Sequence, residues 1–197
     1  MLFLCSFWLF GKSFGYDTKT GSFLIASNIY LDFGAHIPFI RSFSLGNNFP
    51  GEVPFFANTG LLYYFLFDFF AGILERTGIR IDIAFNLLSV ISFSFLLYMI
   101  YTIAYTLFKK KIVGYLSVLF FLLSSNLSFL TFFQKYGLHF STISNWWHHN
   151  LYLEGQPIIL SKILTPQIFW NLNTYLNQRH FVFGILFFLC IIYLLLQ

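Results

Sequence analysis

Ile83–Phe108, Lys109-Lys110-Lys111 and Ile112–Gln134 form the stretch on which the fold turns. Both flanking runs are uncharged, and each is long enough to cross a hydrocarbon core of about 30 Å at a rise of about 1.5 Å per residue. Three lysines separate them. A short basic loop between two apolar runs marks the cytoplasmic side, so the pattern predicts a helical hairpin whose first helix runs inward and whose second runs outward.

Working outward from that hairpin, a third apolar run, Phe181–Leu196, follows Gln178-Arg179-His180 and is still apolar when the sequence reaches Gln197. An apolar start, Met1–Phe10, is too short to span and lacks the basic residue and small-residue cleavage site of a signal peptide. It reads as part of a first helix, 1–15. The expected architecture is therefore all-α: one polytopic transmembrane bundle covering 1–197. Its spans lie at about 83–108, 112–134 and 180–197, with outer loops at 16–82 and 135–179. Leu61–Leu74 is apolar but short and contains Asp68, so it is expected to lie in the interface, and membrane-parallel helices belong to the first outer loop. Because the last run is still apolar at Gln197, the chain reads as a fragment whose further C-terminal helices would cover polar edges at Asn86, Asn126 and Gln134.

Composition supports this solvent. The chain is 58% hydrophobic, 23% aromatic and 9% charged, against roughly one-quarter charged residues in soluble domains. A net charge of +4, dispersed and without a basic stripe, excludes a nucleic-acid partner. The expected partner is the lipid bilayer and the expected location a cell membrane, crossed several times. Cys5 and Cys190 lie in apolar runs and carry no disulfide signal. Asn126-Leu127-Ser128 matches a glycosylation acceptor but falls in an apolar stretch.

Chemistry concentrates in the outer loops. Asp32 sits among apolar residues, with His36 four positions on and on the same helical face. An ionisable group at a membrane boundary is a functional hypothesis by default, while helix capping or pairing with Arg41 is the structural alternative. Glu52 and Asp68 are further acids in aromatic surroundings, each a candidate second acid or metal ligand. His139, Trp146-Trp147, His148-His149 and Glu154 look like a ligand cluster but fit an interfacial aromatic belt better. No spacing predicts a metal site, and no cofactor is indicated. Arg179 enters the last run near the depth of lipid phosphates, where a guanidinium fork either binds phosphate or anchors by snorkelling.

Tyr30-Leu31-Asp32, Asn47-Asn48-Phe49-Pro50, Gly60-Leu61-Leu62-Tyr63-Tyr64 and Asn177-Gln178-Arg179-His180, in this order around the lysine turn, resemble the GT-C class of membrane glycosyltransferases over residues 28–197. Many members carry an acidic pair in the first loop, whereas Phe33 follows Asp32 here. The resemblance implies transfer of a sugar from a polyprenyl-phosphate donor to an acceptor at the non-cytoplasmic face, with inversion. It implies Asp32 as general base, His36 or Glu52 in support and Arg179 on the donor phosphate. A non-catalytic membrane protein, a transporter part or scaffold subunit, is the other reading. Transporters place critical charges near the midplane, and the charge-free spans here favour chemistry in the loops.

Overall fold

The computed structural model describes residues 2–26, 29–56, 58–62, 64–124, 139 and 170–197. It is mainly helical: α1 (Leu2–Ser13), α2 (Tyr30–Ser44), α3 (Leu66–Arg76), α4 (Ile81–Phe108), α5 (Lys111–Leu123), α6 (Trp170–Asn177) and α7 (Arg179–Leu195). The expectation of an all-helical chain needs one amendment, a two-stranded antiparallel hairpin, β1 (Phe14–Asp17) and β2 (Ser22–Ile25), directly after α1. Its turn is set locally. Asp17 accepts hydrogen bonds from the Lys19 N–H at 2.9 Å and the Thr20 hydroxyl at 2.8 Å, and Gly21 adopts φ 71°, a conformation that suits a residue without Cβ.

α4 is the axis. Helices α1, α3, α5 and α7 and strand β1 all pack on it. It has 28 residues, about 42 Å of helix. Among the described residues it is the one helix long and apolar enough to cross a membrane. One side is buried through Phe85, Ser89, Phe93, Leu96 and Leu97. The other exposes Ile83, Leu87, Ile91, Phe95 and Tyr98, a row at helical spacing that water would not tolerate and lipid would. α1, α5 and α7 are shorter apolar helices with exposed faces of the same kind, such as Phe3, Leu4 and Phe7 on α1 and Phe187, Phe188 and Ile191 on α7.

Contacts fix the directions. Phe10 meets Phe93 while Phe14 meets Phe85, so α1 runs antiparallel to α4. Arg179 reaches Asn86 at the start of α4, so α7 begins where α4 begins. The turn at Lys109 has φ 53° and lies at the far end.

The segment expected as an interfacial helix over Leu61–Leu74 begins at Leu66 and ends at Arg76, and it has a partner. α2 and α3 run parallel: His36 meets Asp68, Ile40 and Phe43 lie against Gly72, and Ser44 and Arg41 meet Glu75. A Cβ on Gly72 would stand 2.8 Å from Phe43 Cβ and 2.9 Å from the Ile40 carbonyl oxygen, so glycine sets the approach of the two backbones. Parallel neighbours require a return connection, and residues 45–65 supply it. Phe49 packs on Phe69 and Phe55 on Phe39, and Val53 N–H bonds the Thr59 carbonyl at 2.9 Å.

Candidate functional site

α2, α3, α4 and α7 begin in one layer, at the end of α4 opposite Lys109–Lys111. Phe67 of α3 touches Phe85 of α4 and Phe183 of α7, and Phe33 of α2 touches Phe85. Helix N-termini present partial positive charge and unpaired N–H groups, which favours anions there. The sequence answers with Asp32, Asp68 and Asp82 in the first turns of α2, α3 and α4. Asp82 is bound by both Nε and Nη2 of Arg80.

Asp32 is half-buried. Its Oδ2 accepts a hydrogen bond of 2.9 Å from Gln178 Nε2, and among the described residues its Oδ1 has no hydrogen-bond partner. Neither structural alternative accounts for it. The α2 N-terminus has no side-chain cap, and Arg41 pairs with Glu75 at 3.1 Å. His36 follows one turn on, and its Nδ1 lies 3.0 and 3.1 Å from the two oxygens of Asp68. Both side chains are enclosed, at 2% and 0% exposure. A buried carboxylate is costly unless paired, and the Asp68 oxygens within hydrogen-bond distance favour a hydrogen on Nδ1 of His36. The His180 ring lies 5.7 Å from that of His36 and stacks on Tyr64 at 5.9 Å with an interplanar angle of 13°.

Arg179 is completely buried. Its Nη1 donates to Asn86 Oδ1 at 2.7 Å and Ser89 Oγ at 3.1 Å, its Nη2 to Ser13 Oγ at 2.7 Å and its Nε to the Leu176 carbonyl at 3.3 Å. The rings of Phe10, Phe33 and Phe85 surround it at 5.0, 5.0 and 4.5 Å, so cation–π attraction replaces part of the lost hydration. The guanidinium joins α1, α4, α6 and α7. Asn86, expected to need a missing helix, is satisfied within the chain, because its Nδ2 also donates to the Phe14 carbonyl at 2.6 Å.

The four residues singled out from sequence thus separate. Asp32, His36 and Arg179 gather in one layer, with Gln178 bridging. Glu52 does not join them. It lies exposed on the return connection, where the Asn48 side chain holds its backbone N–H at 2.8 Å and carbonyl at 2.7 Å. Sequence reasoning did not assign Gln178 or His180 a role, nor Asp68 as the partner of His36. Asn86 and Ser89, three apart on one face of an otherwise apolar helix, were the available signal for a buried cation. Of the histidine-rich cluster, His139 is exposed and the remainder lies outside the described residues, as do Asn126 and Gln134. Among the described residues no group of three or more His, Cys, Asp or Glu side chains converges as a metal site would.

No curated protein and no solved structure matches the chain. One family model does, over residues 30–171, a span that begins with α2 and takes in Asp32, His36, Asp68 and all of α4. That family is described as uncharacterized membrane protein (DUF2298). With well over half its length matched and lipid-compatible faces along α4 and α7, the chain belongs to the membrane protein family DUF2298.

Proposed function

We propose that this chain carries the first-loop site of a multi-pass GT-C-type glycosyltransferase of a cell membrane, moving a sugar from polyprenyl phosphate to an acceptor at the non-cytoplasmic face. One observation carries the reading. Asp32 is a half-buried carboxylate with one oxygen fixed by Gln178 and the other without a partner among the described residues, in the layer opposite the lysine turn. Such an oxygen can take the proton of an acceptor hydroxyl as that hydroxyl attacks the anomeric carbon. Direct displacement inverts the sugar centre. His36, held by Asp68, supports the base from one turn away. The charge of Arg179 and the N-termini around it stabilise the leaving phosphate through their field, since the fork itself is engaged by Ser13, Asn86, Ser89 and Leu176.

The test is sugar transfer from a polyprenyl-phosphate donor by the whole protein in membranes. Asp32→Asn should lower transfer by about 10²–10⁴-fold with insertion and expression retained, and full activity in that variant would end the assignment. The enclosed Arg179 network favours a second reading, a non-catalytic membrane scaffold or transporter part. On that reading Asp32→Asn is silent and the Arg179 variants act through folding alone.

A further inference from the structure

We infer that the turn between α4 and α5 binds anionic phospholipid, with Lys109, Lys110 and Lys111 meeting the headgroup. All three lysines are exposed, and no acid among the described residues follows Asp82 in the sequence. None of the three forms an ion pair there. Local structure asks for a different residue at each position. Lys109 ends α4 at φ 53°, a left-handed conformation that glycine or asparagine suits best at a helix end. Lys110 is the N-cap of α5 and supplies no side-chain cap, where serine, threonine, aspartate or asparagine would. Lys111 opens α5 at the positive pole of the helix, which favours an acid. The carbonyl end of α4 favours a cation, yet it does not account for three in a row.

The surroundings of the turn select the kind of anion. Leu107 and Phe108 on α4, and Ile112, Tyr115 and Leu116 on α5, are exposed, and Phe108 and Ile112 adjoin the lysines directly. This collar continues the lipid-compatible face of α4, so acyl chains reach to within one residue of the turn. Ammonium groups on flexible stems then stand at the depth of lipid phosphates. An acidic protein segment would leave the collar uncovered, whereas a phospholipid covers it with its chains and meets the lysines with its headgroup. A zwitterionic headgroup brings an ammonium group of its own. Phosphatidylglycerol brings none, so its net negative charge is what three unpaired lysines distinguish.

The inference rests on the membrane assignment of the family and not on the glycosyltransferase reading. For the test, the whole protein in an uncharged detergent is titrated with phosphatidylglycerol and with phosphatidylcholine of the same acyl chains, and bound lipid is counted by native mass spectrometry. One lysine beside an anionic surface strengthens attachment by about fivefold, so wild type should hold phosphatidylglycerol at least about fivefold more tightly than phosphatidylcholine. Lys109→Gln, Lys110→Gln and Lys111→Gln combined should remove that preference. The three combined Lys→Arg changes keep the charge and should retain it. Lys19→Gln, which removes an exposed lysine on the hairpin, should leave it unchanged. Equal affinity of wild type for the two lipids overturns the inference and leaves the lysines as a mark of topology alone. A preference that survives the three glutamines, or falls as far in Lys19→Gln, overturns it as well.

Discussion

The two ends of α4 are held by different physics. Near Ile81 its neighbours meet it through fixed polar geometry: a guanidinium shared by Ser13, Asn86 and Ser89, and, one layer out, the His36–Asp68 pair. Near Phe108 the contacts are apolar and aromatic. Tyr101 stacks on Tyr105 at 6.2 Å, lies 5.1 Å from Tyr115 and covers Gly114 of α5. Dispersion between rings is adaptable, whereas a buried charge tolerates few arrangements. One helix thus combines a specified end, where the candidate chemistry lies, with a permissive end that needs only to pack.

Arg179→Met is the strongest way to break this contrast. It leaves Ser13, Asn86 and Ser89 in an apolar layer without their donor, and hydrogen bonds to a charged group are worth about 1.5–3 kcal/mol each. A loss of at least about 3 kcal/mol is expected in reversible unfolding of the detergent-solubilised protein. Arg179→Lys should recover only part of it, because one ammonium cannot serve the same three acceptors in a plane. Stability equal to wild type in Arg179→Met would show that the specified end is not specified by this cation.

Two glycines sharpen the comparison. At Gly72 an added Cβ meets Phe43 Cβ and the Ile40 carbonyl oxygen, groups tied to a helix backbone, so Gly72→Ala should cost about 1–3 kcal/mol and pull His36 from Asp68. At Gly114 the closest atoms are Tyr101 ring carbons at 2.6 and 2.7 Å, with the Tyr101 carbonyl oxygen at 3.2 Å; the ring can swing aside, and the carbonyl needs to give by only a few tenths of an ångström. Gly114→Ala should therefore cost less than Gly72→Ala in the same melting assay, and the opposite order would reverse the assignment of rigid and permissive ends.

The smallest effect is expected at the hairpin. The Lys19 N–H, then the Thr20 hydroxyl, hold the Asp17 carboxyl below its ordinary range. A carboxyl whose folded pKa is depressed contributes stability that is complete above the unfolded pKa and is lost as pH falls through the folded one. Asp17→Ala should lower the melting temperature slightly near neutral pH, with the difference from wild type shrinking below about pH 3–4. A gap that persists in acid would mean that Asp17 acts through packing.

Much of this fold can be read along the chain. An uncharged run of membrane length declares its solvent by composition, and Lys109–Lys111 mark a turn wherever the helices pack, so the helix expected at 83–108 and the break after it could be read along the chain, and the helix itself runs Ile81–Phe108. That Asp32 and His36 share one face of α2 follows from their four-residue spacing, but their partners, Gln178 and Asp68, come from elsewhere in the chain. The hairpin at Phe14–Ile25 was not legible, since four-residue strands leave too little alternation to register against an apolar background. Nor was the division of the acids. Asp68 and Glu52 read alike, an acid among aromatics, yet α2 and α3 run side by side and bring Asp68 to His36, 32 residues away, while the return connection leaves Glu52 outside. Arg179 shows the limit most clearly. Its sequence position admits a phosphate clamp or a snorkelling anchor, and only the meeting of α1, α4, α6 and α7 encloses it. Local sequence determines what a side chain can do, whereas the partners that desolvate it come from distant segments and exist only once the helices have packed.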